Sequence, residues 1–133
     1  MDRKKLLKRL IYLILFIFLA NFLADKFYWY YTIWYFDMLM HFLGGFWLGL
    51  VFFYLFPPKE SFLNYSAILK ILLFVLLIGV GWEVFEIIFN NMLAHMSFNT
   101  LDTFSDVFFD LSGGGLAILY FLKRIMFKIE SAV

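Results

Sequence analysis

The chain has 133 residues, 65% of them hydrophobic and 24% aromatic, with a mean hydropathy of +0.88. That makeup excludes an ordinary soluble domain and marks an integral membrane protein. The absence of cysteine excludes a disulfide framework, a thiolate metal site and a cysteine nucleophile, and the net charge of +1 matters less than where the charges lie.

The first stretch, MDRKKLLKRLIYLILFIFLANFLADK, has the basic head and apolar core of a signal peptide. Its end, ANFLAD, offers no clean small-x-small cleavage pattern. The apolar run from Leu10 to Ala24 reaches spanning length once Lys8 and Arg9 snorkel, so it is expected to stay as a membrane helix. A hydrocarbon core about 30 Å thick needs about 20 helical residues, and four stretches approach this: about 6 to 24, 38 to 56, 67 to 90 and 104 to 122. The first connector, DKFYWYYTIWYF, carries Trp29, Trp34 and several tyrosines, as an interfacial aromatic belt does, and suits a helix lying along the surface. The second, PPKESFLNYS, ends a helix at Pro57 and Pro58. The third is NNMLAHMSFNTLDT, where His95 is expected to face solvent. With no internal repeat and no soluble segment, the expected fold is all-α, a polytopic membrane protein built as a four-transmembrane-helix bundle in a single membrane domain over residues 1–133.

Basic residues orient such a bundle, because cytoplasmic loops retain lysine and arginine. Arg3, Lys4, Lys5, Lys8 and Arg9 precede the first span, Lys59 and Lys70 flank the second connector, and Lys123, Arg124 and Lys128 follow the fourth. Four spans put all three groups on one side, so both termini are expected in the cytoplasm with only Lys26 facing out. The acids do the opposite. Asp25, Asp37, Glu83, Glu86, Asp102, Asp106 and Asp110 fall in the outer half, leaving Asp2, Glu60 and Glu130 inside.

Asp102, Asp106 and Asp110 are four apart and share one helix face at the outer start of the fourth span. Asp37 and His41 are also four apart in the second span, and Glu83 and Glu86 three apart in the third. At about 1.5 Å per residue, His41, Glu83, Glu86, Asp106 and Asp110 lie roughly 3 to 11 Å from the outer ends of their helices. All eight glycines lie inside predicted spans, where they read as packing residues. Gly45 and Gly49 form a GxxxG pair and Gly113 to Gly115 follow the aspartates.

Charge in hydrocarbon costs about 2.5 to 3.5 kcal/mol per group on insertion scales, and like-charged neighbours raise that. The outer half has one lysine and no arginine, so neutrality must come from protons, a cation or a cationic partner. Oxygen ligands with one imidazole suit a divalent ion such as Mg²⁺, Mn²⁺, Ca²⁺, Fe²⁺ or Zn²⁺, with Asp37, His41, Glu83, Glu86, Asp102, Asp106 and Asp110 as candidate ligands. Ordinary readings stand beside this one. Asp25, Asp37 and Asp102 suit water-facing helix starts, His41 a hydrogen bond to Asp37 or a glutamate, and Trp82 packing or lipid contact.

The motifs FDMLMHFLGG, GWEVFE and DTFSDVFFDLSGGG, taken as a set over about residues 37 to 118, resemble the polar signatures of YjdF-type bacterial inner-membrane proteins, which are similar to the broader VanZ-like group. The matching positions are Asp37, His41, Glu83, Glu86, Asp102 and Asp106. The chain has fewer spans than the longer members and adds Asp110. The resemblance implies a small polytopic protein of poorly defined activity, with VanZ relatives linked to resistance to glycopeptide-type antibiotics.

No HExxH, GxSxG or Walker signature is present. The aspartate ladder has a counterpart in membrane prenyltransferases and CDP-alcohol phosphotransferases, but the accompanying glycine and arginine elements are missing. Three functions fit. The first is a metal-dependent enzyme in the cell (inner) membrane acting at the extracytoplasmic leaflet on a lipid or envelope-precursor head group, with Glu83 and Asp106 as catalytic candidates. The second is a proton- or cation-linked transport component. The third is a non-catalytic structural or interaction protein whose cluster only locks helices. The lipid bilayer is the expected partner and nucleic acid is not; oligomeric state is open.

Overall fold

The computed structural model describes residues 2–57, 64–89, 92 and 99–130. It is all-helical over these residues: α1 (Arg3–Phe27), a short α2 (Trp29–Thr32), α3 (Phe36–Leu55), α4 (Tyr65–Phe89) and α5 (Thr100–Glu130). Four of the helices, α1, α3, α4 and the Thr100–Arg124 part of α5, are long and apolar enough to cross a membrane. The chain is therefore a four-span helical membrane protein. Each of the four spanning helices starts two to four residues before the stretch expected, and in α1, α4 and α5 a polar residue caps that start. Asp2 accepts from the backbone N–H of Lys4 and Lys5 at 3.0 and 3.3 Å and starts α1. Asn64 and Asn99 do the same for α4 and α5. α5 also continues to Glu130, well beyond the expected end near 122.

The connector between the first two spans contains the one-turn helix α2. Tyr28 takes a left-handed backbone (φ 58°), stopping α1 and turning the chain into α2. Trp34 is 80% exposed, as a belt residue should be. Of the proline-bearing connector, Pro57 follows the end of α3, while Pro58, Lys59 and Glu60 lie outside the described residues, as does His95.

α3 and α5 form the closest pair, with α4 packed on both and α1 packed on α3. The sequence permits this approach at specific glycines. A Cβ at Gly45 would run into the backbone carbonyl of Asp110, and one at Gly113 into that of Phe42, so α3 and α5 touch backbone to backbone. Gly49 and Gly114 instead face side chains, the methyl of Ala117 and the methyls of Val75. Gly44, Gly81 and Gly115 depart from the packing reading, since a Cβ there would meet nothing within 4 Å.

The half of the bundle away from the aspartates is closed by apolar side chains. Leu6, Leu10, Leu50, Phe53, Ile71, Ala117, Ile118 and Phe121 form one buried cluster, with Phe53 stacked on Phe121 at 4.0 Å. The outward faces carry residues such as Phe16, Leu77 and Leu119, each more than half exposed. Apolar surface on that scale is a lipid-facing surface.

Candidate functional site: a histidine ringed by carboxylates

Local helix geometry delivers the polar groups to one level. Asp37 lies in the first turn of α3 and His41 one turn deeper; Glu83 and Glu86 lie three apart on α4; Asp102, Asp106 and Asp110 descend α5 in single turns. Because α3, α4 and α5 pack on one another, the faces carrying these residues converge. His41, Glu83, Asp106 and Asp110 are all buried, with 8%, 4%, 3% and 5% of their surface exposed. Asp37 and Glu86 are half-buried, and Asp102 is exposed.

His41 is the hub. Its Nε2 stands 3.7 Å from Asp37 Oδ1, 3.9 Å from Glu83 Oε1 and 3.9 Å from Asp106 Oδ2. Its other ring nitrogen, Nδ1, lies 3.3 Å from Asp110 Oδ1. The ring thus divides the carboxylates into two sets. One meets Nε2 and the other, Asp110 alone, meets Nδ1. If Nδ1 carries the proton it donates to Asp110, and Nε2 turns a lone pair toward Asp37, Glu83 and Asp106.

Two oxygens make this arrangement more than a collection of acids. Glu83 Oε1 and Asp106 Oδ1 are buried and have no hydrogen-bond partner. Buried polar atoms are paired as a rule, and an unpaired carboxylate oxygen in low dielectric is costly. No lysine or arginine among the described residues forms an ion pair with them. Two sets of residues could hold an ion: Asp37, His41 and Asp106, and His41, Glu83 and Glu86, with the ligand atoms of each set within 4.8 Å of one another. Ligands sharing an ion at about 2.0 to 2.2 Å stand roughly 3.0 to 3.6 Å apart, so the most separated of these atoms would close in by up to about 1 to 2 Å through side-chain rotation.

The two ends of the aspartate ladder differ from its middle. Asp102 sits in the first turn of α5, where a carboxylate meets the positive helix end and water, and it belongs to neither ion-holding set. Asp110 faces the opposite nitrogen from Asp106, and its carboxylate fits against Gly79 of α4. The expected hydrogen bond of His41 to Asp37 or a glutamate is replaced by this one. The reason is depth: on α5 Asp110 lies a full turn deeper than Asp106, beside the inner edge of the imidazole. Asp25 is exposed, in keeping with a water-facing acid.

Tyr30 is a site neighbour that the sequence disguises as one more belt aromatic. It is half-buried, packs edge-on against Phe36 at 5.0 Å, and donates its hydroxyl to Asn21 Oδ1 at 2.5 Å. Burial holds its phenol well above the usual range, and the negative charges of Asp37, Asp25 and Glu86 push the same way. No spacing rule singles it out, because its position depends on the turn at Tyr28.

Fold and site together define a multi-pass helical membrane protein with a buried imidazole and carboxylate cluster. The chain belongs to the family described as predicted membrane protein (DUF2238), whose model matches residues 1–126. No curated protein and no solved structure matches the chain.

Proposed function

We propose that this protein holds a divalent metal ion between α3, α4 and α5, on the extracytoplasmic side of the cell (inner) membrane, and uses it on a lipid or envelope-precursor head group. The observation that carries the reading is the pair of buried, unpartnered oxygens: Glu83 Oε1, which stands 3.9 Å from His41 Nε2, and Asp106 Oδ1, whose companion Oδ2 stands 3.9 Å from the same nitrogen. A cation supplies the partner that those oxygens lack. In this reading His41 Nε2, Asp37, Glu83 and Asp106 are the principal ligands, Glu86 is a further one, and Asp110 holds the ring from behind. One imidazole among hard oxygens suits Mn²⁺, Fe²⁺, Zn²⁺ or Mg²⁺.

When bound, such an ion supplies Lewis acidity toward water and a phosphoryl or carbonyl oxygen. Glu83 or Asp106, whichever has an oxygen free of the ion, accepts the proton from water as general base. Asp110 orients His41, and Asp102 and Asp37 line the entrance from the water side. Both termini in the cytoplasm, a single membrane domain and the YjdF-type and VanZ-like kinship complete the reading. It is supported by basic residues gathered beyond the helix ends remote from the cluster.

A proton- or cation-conducting role is the weaker reading, because Phe53, Ile71, Val75, Ala117 and Phe121 close the bundle below the cluster. A purely structural lock keeps the same ligands but exchanges no water. The test is elemental analysis by plasma mass spectrometry on detergent-purified protein and on folded Asp106→Asn and Glu83→Gln variants. Near-stoichiometric metal that both substitutions remove supports the centre. Absence of metal after exposure of the native protein to the candidate ions refutes it and leaves carboxylates neutralised by shared protons.

A further inference from the structure

The end of the bundle remote from the carboxylates carries a second polar site. A cavity of about 360 Å³ opens there, lined by Arg9 of α1 and by Tyr120, Lys123 and Arg124 of α5. Tyr120 is ten residues beyond Asp110, roughly 15 Å along the helix, so the two sites are separate. Residues 120, 123 and 124 are three and four apart and share a helix face.

Tyr120 is held edge-on against Phe46 at 6.2 Å. Its hydroxyl oxygen accepts from Arg9 Nη1, and it also accepts from Arg124 Nη1 at 3.4 Å. The Arg9 guanidinium lies 5.8 Å from the centre of the same ring. One phenol therefore gathers two guanidinium groups from different helices, with Lys123 as a third cation. No carboxylate among the described residues pairs with any of the three, and the one lysine pair there is Lys5 with Asp2. Like charges held together repel unless an anion sits between them.

The surroundings indicate what sort of anion. α1 packs on α3, and among the described residues none of its Cα atoms comes within 8 Å of one in α5; the cavity is an open cleft between Arg9 of α1 and the Tyr120–Arg124 stretch of α5. One turn farther into the membrane from Arg9 is Leu13, and one turn from Tyr120 is Leu116, which is 41% exposed. The cleft itself is cationic, and the residues one turn deeper on both helices, Leu13 and Leu116, are apolar. A free phosphate would use only the cationic part.

We propose that this cleft binds the phosphodiester of an anionic phospholipid. The Arg9 and Arg124 forks and the Tyr120 hydroxyl meet the phosphate oxygens, Lys123 adds charge, and acyl chains follow Leu13 and Leu116. The site is independent of the metal reading.

The test is a lipid titration of the detergent-purified full chain followed by native mass spectrometry. Phosphatidylglycerol and phosphatidylcholine are compared, with glycerol 3-phosphate as a soluble competitor. Phosphatidylglycerol is expected to be retained selectively. Each charge removed from contact with the lipid phosphate weakens such binding about fivefold, so Arg9→Gln with Arg124→Gln is expected to weaken it about thirtyfold. Lys4→Gln with Lys5→Gln, outside the cleft, is expected to leave it within about threefold. If the double arginine variant does not fold, the exposed Lys123→Gln provides the same test with an expected loss of about fivefold. Equal retention of the two lipids, or equal loss in the Lys4 and Lys5 variant, would overturn the proposal. Displacement of lipid by stoichiometric glycerol 3-phosphate would also overturn it, making a soluble phosphate the ligand.

Discussion

Gly79→Ala reads the link between helix packing and the metal centre. A Cβ at Gly79 would stand 2.5 Å from Asp110 Oδ2, whereas ordinary contact begins at 3.4 Å, so the carboxylate must retreat by about 0.9 Å. Taken along the bond, that displacement stretches the 3.3 Å contact of Asp110 Oδ1 with His41 Nδ1 beyond about 4 Å, which is no longer a hydrogen bond. Losing an orienting carboxylate behind a ligating histidine costs about 10- to 100-fold in metal affinity, or roughly 1.4 to 2.8 kcal/mol. The substitution favours the helix itself, since alanine is better than glycine there by about 1 kcal/mol, so the fold is expected to survive. The assay is competition with a fluorescent chelator on detergent-purified protein, with Gly81→Ala as control because a Cβ there meets nothing within 4 Å. Wild-type affinity in Gly79→Ala, or the same loss in Gly81→Ala, would refute the reasoning. Asp110→Asn is expected to fall in the same range; complete loss of metal in it would make Asp110 a direct ligand.

Gly45→Ala is expected to do more damage, because the new methyl meets the backbone carbonyl of Asp110 and neither helix can yield locally. It should lower the yield of monodisperse protein on size-exclusion chromatography, while Gly44→Ala should not. Phe53→Ala removes a ring stacked at 4.0 Å on Phe121. With lipid as the alternative surroundings the water-transfer contribution largely vanishes, leaving a cavity cost of roughly 2 kcal/mol, measurable by denaturation in mixed micelles. Metal affinity should fall as pH is lowered, since carboxylates and imidazole bind the ion only after losing their protons. Affinity that rises on acidification would remove these groups from the ligand set. A phosphatase reporter inserted in the connector between α4 and α5 should be active outside the cytoplasm, and cytoplasmic activity would reverse the orientation of the site.

Membrane location and helix number were legible in the sequence because hydrophobic length is a one-dimensional property. A run of about 20 apolar residues must satisfy its backbone internally whatever it packs against. The face shared by Asp102, Asp106 and Asp110 was legible too, because a helix fixes the spacing of its own side chains. Which of the carboxylates would meet the same imidazole nitrogen was not. Asp106 and Asp110 look equivalent in the sequence, yet one stands at Nε2 and the other at Nδ1 of His41. That difference follows from how deeply α5 slides along α3, and the slide is fixed by backbone contact at Gly45 and Gly113. The same register buries Glu83 while leaving Glu86 half-exposed, and it brings Arg9 to Tyr120 across 111 positions of sequence. The sequence by itself determined which helices form and which faces are polar. The tertiary structure alone decided which polar groups touch, because contact between helices depends on axial register and rotation, and neither is written within a single helix.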